Sequence, residues 1–383
     1  MEFDFQWLLL GLPLAFAFGW LASRLDLRQW RRERKDSPRA YYKGLNLLLN
    51  EQHDKAIDAF IEAVQQDPDT SDLHFALGNL FRRRGEYERA VRVHEHLLHR
   101  ADLPRSERDR AQHALALDFM QAGLFDRAEQ GYRALEGTAF ETEARLALLN
   151  LHERSRDWPA AVAVATGLEQ RGTASFSARI AHYWCEIALE ADAAQQTTEA
   201  DAAVHQARTV APLAARPMLL AGQRARAAQR HGEAFEAWGG LLNAHPATFN
   251  LVATEYAASA LLCEQGTAAL ARLQALYQRS PTMDLLDAIA LIDPGPQHQR
   301  DRLSAHLRDQ PSLSAARALL GQSGVSALSE AEASALQDAV GRAAKPMQRY
   351  RCAACGFEAL HYFWQCPGCL GWDTYPARRI EEL

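Results

Sequence analysis

Residues 77–98 read LGNLFRRRGEYERAVRVHEHLL, and their pattern returns along much of the chain. Gly78 and Ala90 lie 12 residues apart, and the same step joins Gly44 to Ala56, 34 residues earlier. Recurrence at a fixed period of this length is typical of repeat proteins, in which each unit buries its apolar face against its neighbours. We therefore expect an array of similar structural units.

Later copies keep the same frame, with small residues at Ala128, Ala161, Ala234 and Ala269. Each copy has two helical periods joined by a short polar turn, and a large residue four positions after the alanine fills the gap beside the small ones. Prolines end the second helix. The pattern resembles the tetratricopeptide repeat, whose period is about 34 residues.

The composition supports a mainly α fold, since alanine and leucine are common and β-branched residues are sparse. We assign residues 41–345 to a tetratricopeptide-repeat α-solenoid of about eight to nine helical pairs, the last ones degenerate. The alternative is a generic helical bundle, which has no reason to keep a 34-residue period.

Residues 5–25, FQWLLLGLPLAFAFGWLASRL, are apolar and long enough to cross a bilayer as a helix. Acidic Glu2 and Asp4 precede this stretch and basic residues follow it, which is the reverse of a cleaved signal peptide. A buried helix of a soluble protein is the other alternative. We predict an uncleaved transmembrane anchor over residues 1–25 and a basic juxtamembrane linker over residues 26–40.

The distribution of charge predicts the orientation of the anchor in the membrane. Residues 24–43 hold eight Lys or Arg against three Asp or Glu, and basic flanks stay in the cytoplasm. The sequence thus predicts a single-pass protein of the inner membrane with the bulk of the chain on the cytoplasmic side. The net charge of −6 argues against a nucleic-acid partner.

The C-terminal region, residues 346–383, carries two C-x-x-C pairs separated by ten residues, formed by Cys352, Cys355, Cys366 and Cys369. In a reducing cytosol such pairs predict one structural metal ion, iron or zinc, held by four thiolates, rather than disulfides. A thioredoxin-like pair would need a βαβ frame, which the sequence lacks. The pattern resembles the rubredoxin family and short zinc ribbons, although rubredoxins have a longer loop between the pairs.

The remaining candidates are weaker. Cys185 and Cys263 stand in apolar helical contexts and are expected to be small buried side chains. The cluster His94, His96 and His99 and the run Arg82–Arg84 are interpreted chiefly as solvated surface, with a metal or acidic partner as the alternative. Nucleotide-binding, zinc-protease and serine-hydrolase motifs do not occur, so we predict a protein that is not an enzyme.

The order of anchor, basic linker, repeats and four-cysteine domain resembles the lipopolysaccharide assembly protein B family, as do the stretches LGNLFRRRGEYERAVRVH and FMQAGLFDRAEQ. The resemblance implies an adaptor that regulates lipopolysaccharide synthesis. It implies two partners, the membrane protease FtsH and the lipid A pathway deacetylase (UDP-3-O-acyl-N-acetylglucosamine deacetylase), which FtsH degrades. Other lipopolysaccharide-synthesis or transport proteins are further implied partners.

Two alternatives to the adaptor stay open, a scaffold without a proteolytic role and a rubredoxin-like electron carrier. The four-cysteine domain also holds seven aromatic residues within about 30 positions, which would leave a large apolar surface if it stood alone. We expect these aromatic faces to pack on the last helices of the repeat array.

Overall fold

A computed structural model describes residues 15–20, 42–47, 49–50, 52–66, 70–310, 312–321 and 330–382. They fall into two compact units, one reaching to Asp157 and the other beginning at Trp158. Most of the predicted anchor and linker lies outside the described residues. Residues 15–20 are helical, and none of the described helices combines the length and apolar character needed to cross a bilayer.

The first unit is built from paired helices. Residues 42–47 are helical and precede six longer helices, and each of these packs on the next. Their bounds are α1 His53–Gln66, α2 Ser71–Arg83, α3 Tyr87–Leu98, α4 Arg105–Gln121, α5 Phe125–Arg133 and α6 Glu141–Ser155.

The second unit continues with the same kind of pair and ends in a small β-containing domain, residues 350–382. Its first helices are α7 Trp158–Gln170, α8 Ser177–Ala193, α9 Thr197–Val210, α10 Ala215–Ala227 and α11 His231–Ala244. They are followed by α12 Pro246–Phe249, the 3-10 turn Asn250–Val252, α13 Ala253–Leu262, α14 Gly266–Arg279, α15 Met283–Ile292, α16 Pro296–Asp309, α17 Leu313–Leu320 and α18 Glu330–Ala344.

The small-to-large pattern of the sequence brings the two helices of a pair together. A Cβ atom added to any of three glycines would collide with a ring on the following helix, so only glycine allows this approach. Gly44 faces Phe60, Gly78 faces His94, and Gly222 faces Trp238. The buried repeat alanines and these contacts confirm a mainly helical, tetratricopeptide-like arrangement within each unit.

The turn inside each pair has a conserved geometry along the chain. The residue five positions before the repeat alanine has a positive φ in six described turns, at Gly85, Gly123, Arg156, Gln195, Gln229 and Glu264. Only the first two are glycines, and a left-handed conformation costs other residues about 1–2 kcal/mol. Packing of the two helices therefore imposes this conformation on four residues that do not favour it.

One expectation about the first unit is wrong in part. His94 is not on a solvated face: it is fully buried, and its Nδ1 lies 2.5 Å from Asp118 Oδ2. Arg82 donates from Nη1 to the other oxygen of Asp118 at 2.8 Å. Since Asp118 belongs to α4, this buried network joins one helical pair to the next. His96 stacks on the ring of His74, and His99 is exposed.

The two isolated cysteines differ. Cys185 in α8 is fully buried, as expected, and burial raises the pKa of its thiol to about 12. Cys263 follows the last residue of α13 and is only half-buried, so that expectation is correct only in part.

Candidate metal centre

The first C-x-x-C pair lies on a short hairpin. Strand β1, Tyr350–Arg351, pairs antiparallel with β2, Glu358–Ala359. The turn between them is closed by two backbone hydrogen bonds, from Gly356 N to Cys352 O at 2.9 Å and from Cys352 N to Phe357 O at 2.9 Å. Gly356 has a φ of 77°, a conformation that glycine adopts without strain.

The second pair repeats this turn. Cys366 N donates to Gly371 O at 2.8 Å, and Leu370 N donates to Cys366 O at 2.8 Å. Leu370 thus stands where Gly356 stands in the first turn, and its φ is 58°. Two equivalent turns therefore present two sulfur atoms each, and we call residues 350–375 the knuckle.

The knuckle brings the four predicted ligands together, with all four Sγ atoms within 4.8 Å of one another. Cys352 Sγ lies 3.9 Å from Cys369 Sγ, and Cys355 Sγ lies 3.6 Å from Cys366 Sγ. A tetrahedron with metal–sulfur bonds of about 2.3 Å has sulfur–sulfur edges of about 3.8 Å. The residues present therefore fit one metal ion with a closed shell, and the identity of its ligands stays a prediction for metal analysis.

The surroundings of two sulfurs favour the thiolate that a metal needs. The hydroxyl of Thr374, 3.3 Å from Cys352 Sγ, is the main group that lowers the pKa of the Cys352 thiol to about 6. Burial opposes the charge of Cys366, but the backbone amides of Cys369 and Gly368 lower its pKa below the usual value. Cys352 and Cys366 are buried, whereas Cys355 and Cys369 are exposed.

The knuckle packs on the repeats through Trp372. Its indole stacks on the ring of His182 in α8, with centroids 4.7 Å apart. The His182 ring also forms a hydrogen bond between Nε2 and Asp373 Oδ2 at 2.7 Å. Two consecutive knuckle residues thus hold one histidine that is almost fully buried.

A buried arginine completes this contact. The Arg216 guanidinium in α10 lies 5.7 Å from the Trp364 ring and 5.9 Å from the Trp372 ring. Its charge is balanced by Glu186, which accepts from Nη2 at 2.7 Å. Cation–π contacts of this kind are strongest where water is excluded. We call His182, Arg216, Trp364, Trp372 and Asp373 the docking cluster.

The segment after the knuckle attaches to later helices. Arg379 forms a two-pronged ion pair with Asp284 at the start of α15, at 2.9 and 3.0 Å. Glu382 accepts a hydrogen bond from Met283 N at 3.1 Å, and Glu381 bonds Ser314 in α17. Burial raises the pKa of Asp284, and the charge of Arg379 opposes this rise.

The expected docking is thus correct in kind but wrong in place. The aromatic residues contact α7, α8 and α10 rather than the last helices, and the polar tail contacts α15 and α17. Sequence reasoning missed His182 and Arg216. Only an unusual cluster of histidine, aromatic and acidic residues in AHYWCEIALE could have marked α8.

Comparisons with known proteins agree with this architecture. Residues 350–375 match the family described as rubredoxin metal binding domain. The chain is 30% identical to lipopolysaccharide assembly protein B of Escherichia coli K12, over 98% of this chain and 99% of that protein. It is 27% identical to the protein of the same name from Haemophilus influenzae Rd, over 96% of each chain.

Among solved structures, the Naa15/Naa10 complex bound to HypK-THB covers 79% of this chain and 46% of that chain, with 14% identity and a TM-score of 0.42. A likeness this distant says nothing about partners. The sequence identity over nearly the whole length is decisive instead: the chain belongs to the lipopolysaccharide assembly protein B family.

Proposed function

We propose that this protein is a non-enzymatic adaptor in lipopolysaccharide assembly. The observation that carries the proposal is full-length similarity to lipopolysaccharide assembly protein B, with helical repeats and knuckle both present. Repeat arrays offer extended surfaces to protein partners. A closed four-thiolate shell leaves no coordination position for a substrate, which supports a structural task for the knuckle.

The finer proposal is that the adaptor delivers the lipid A pathway deacetylase to the membrane protease FtsH. A single anchor in the inner membrane, with the repeats on the cytoplasmic side, would confine both partners to one surface. Tethering raises the effective concentration of a client without new chemistry. The predicted anchor in residues 1–25 supports this proposal from the sequence alone.

The half-life of the deacetylase in a deletion strain tests this proposal. We expect the half-life to lengthen several-fold without the protein and to be restored by the full chain, but not by a chain lacking residues 1–25 at equal abundance. An unchanged half-life in the deletion strain would leave only the scaffold without a proteolytic role.

A second experiment asks whether the docked knuckle is needed. Trp372→Ala removes the ring that stacks on His182, and His361→Ala is a matched control because His361 is exposed on the same domain. We expect only the first variant to lengthen the deacetylase half-life. If the deacetylase half-life were the same with both variants, the docked knuckle would not be needed for adaptor function.

A further inference from the structure

An ion pair in the first unit links two positions that can be followed from repeat to repeat. Arg82 lies eight positions before the repeat alanine Ala90, and Asp118 lies ten positions before the next one, Ala128. Arg82 Nη1 is 2.8 Å from Asp118 Oδ1, and the carboxylate is fully buried. These two positions therefore bring an arginine and a carboxylate together across neighbouring helical pairs.

The second unit uses the same two positions with the charges exchanged. Asp192 lies eight positions before Ala200, and Arg224 lies ten positions before Ala234. Their side chains form an ion pair, and Arg224 also pairs with Asp201 at 2.7 Å. Since two separate interfaces agree, the backbone geometry at these positions suits a bridge between an arginine and a carboxylate.

The next interface lacks the carboxylate. Arg226 lies eight positions before Ala234, but the residue ten positions before Ala269 is Ser259. Arg226 is exposed and its side chain forms no ion pair or hydrogen bond within the described ranges of the chain. Ser259 is fully buried, and its hydroxyl has no hydrogen-bond partner among those residues. Both side chains are thus left unsatisfied at a place where one carboxylate could satisfy them.

A pocket of about 410 Å³ occupies this place, between α10, α13 and the start of α11. Arg226 and Ser259 both line it, and none of the described residues around it is acidic. The lining also includes Gln223, His231 and Leu262, and Leu262 is 66% exposed. Because the permanent charge on the wall is that of Arg226, the pocket favours an anion.

The other groups in the pocket suit a peptide that carries this anion. His231 Nε2 lies 3.2 Å from Gln229 Oε1, which accepts, so the neutral ring has its proton on Nε2 and a lone pair on Nδ1. This Nδ1 atom is buried without a partner among the described residues, and it can accept from a main-chain amide. One arginine balances the single charge of a carboxylate, whereas a phosphate ester carries about 1.5 to 2 negative charges.

We propose that this pocket binds an acidic segment of a protein partner, in which a glutamate or aspartate carboxylate pairs with Arg226 and accepts a hydrogen bond from Ser259. The partner thereby supplies the group that Asp118 supplies within the first unit. An apolar side chain next to the acidic residue packs on Leu262, the exposed apolar residue of the lining.

The proposal adds a partner class to the adaptor, and it rests on the proposed function only in assuming that the protein's task is to bind other proteins. Peptide binding in vitro and deacetylase turnover in cells are independent measurements. Either can fail while the other succeeds, so the two proposals are separable.

The test uses the full, metal-loaded chain in detergent and three blocked pentapeptides, acetyl-Ala-Leu-X-Leu-Ala-amide, with X as glutamate, glutamine or phosphoserine. Titration calorimetry at pH 7.5 measures each dissociation constant. We expect the glutamate peptide to bind about tenfold more tightly than the glutamine peptide, the value of one modest ion pair. Arg226→Gln should abolish this preference, whereas Arg208→Gln, an exposed change on α9 outside the pocket, should retain it.

Ser259→Asp provides a second arm, because it places a carboxylate of the chain itself beside Arg226. We expect this internal bridge to raise the melting temperature and to weaken binding of the glutamate peptide about tenfold. If the folded Ser259→Asp protein still preferred glutamate over glutamine, the proposal would be wrong.

Two results with the unaltered chain would also overturn the proposal. One is equal binding of the glutamate and glutamine peptides. The other is tightest binding of the phosphoserine peptide, lost in Arg226→Gln, which would assign the pocket to a phosphorylated segment. Since Arg226 is exposed, its substitution keeps the test decisive even if Ser259→Asp does not fold.

Discussion

The knuckle and the helical repeats are stabilised in opposite ways. The knuckle has two strands of two residues each and a small core, and its four sulfurs fit one ion. The repeats bury rings against glycines and alanines, and within each unit a helix is supported by its neighbours. A domain of about 30 residues cannot bury enough apolar surface to fold alone, whereas a repeat borrows its stability from its neighbours.

This contrast predicts that metal loss affects the two regions unequally. Cys366→Ser should release the metal and unfold the knuckle, because structural metal binding supplies about 10 kcal/mol or more of folding free energy. Limited proteolysis and metal analysis measure the effect, and α1–α6 should keep their protection. Cys263→Ser, outside the knuckle, is the control; full metal content in Cys366→Ser would contradict the contrast.

The reverse case is a buried change in the repeats. Asp118→Ala leaves Arg82 and the buried His94 without their shared partner, and breaking such a pair costs about 3–5 kcal/mol. Hydrogen exchange should report loss of protection in α3 and α4. Metal content should not change. The control Asp126→Ala, at an exposed position, should change neither the exchange protection nor the metal content. Loss of metal in Asp118→Ala would show that the two regions are not independent.

The docking cluster joins the knuckle to the helical repeats. Trp372→Ala should lower the unfolding free energy of the second unit by about 2 kcal/mol, through lost apolar burial and lost ring contacts. The metal ion should remain bound in the knuckle of this variant, since Trp372 is not a predicted ligand. Chemical denaturation with a parallel metal assay decides this, and simultaneous loss of metal and docking would mean that docking holds the site together.

A smaller effect is expected at Asp287 in α15. The folded-state pKa of Asp287 is raised from 3.8 to about 6, so the folded protein binds more protons than the unfolded chain between these values. Stability should therefore fall as pH rises through this window. Asp287→Asn should stabilise the protein by about 1 kcal/mol at pH 7.5, a value reduced for solvent screening, and should have no effect at pH 3.5.

The smallest effect concerns the turns. Gln229→Gly relieves a left-handed residue and should add about 0.5 kcal/mol, since the relief of 1–2 kcal/mol is partly offset by the flexibility of glycine in the unfolded chain. Leu370→Gly tests the same idea in the knuckle, where the metal already fixes the turn. Thermal melting compares them, and a loss of stability in Gln229→Gly would contradict this account of the turns.

The sequence predicted the structural features that depend on local or periodic patterns. The 12-residue step from Gly78 to Ala90 gives the helical pair, and two C-x-x-C pairs give the four-sulfur cluster. Both signals lie within one structural unit, so spacing alone carries them.

Contacts between residues that are far apart in the chain could not be predicted from the sequence. The interval from Ala90 to Ala128 is 38 residues rather than 34, so counting along the chain does not find equivalent positions in these two repeats. The partner of His94 in the next pair could therefore not be identified. His182 and Asp373 are 191 residues apart, and nothing in either local pattern specifies the other. Their contact depends on the path of the whole second unit.

The knuckle and the segment after it are attached to the repeats at two places that are close together in the chain. Asp373 holds α8 and Arg379 holds α15, yet six residues of chain span at most about 22 Å. Ordinary repeat arrays tolerate the gain or loss of a unit, because each unit touches only its neighbours. Here we expect one added pair between α10 and α15 to move Asp284 away from Arg379. We therefore infer that the short segment from Asp373 to Arg379 limits how many repeats this part of the chain can gain.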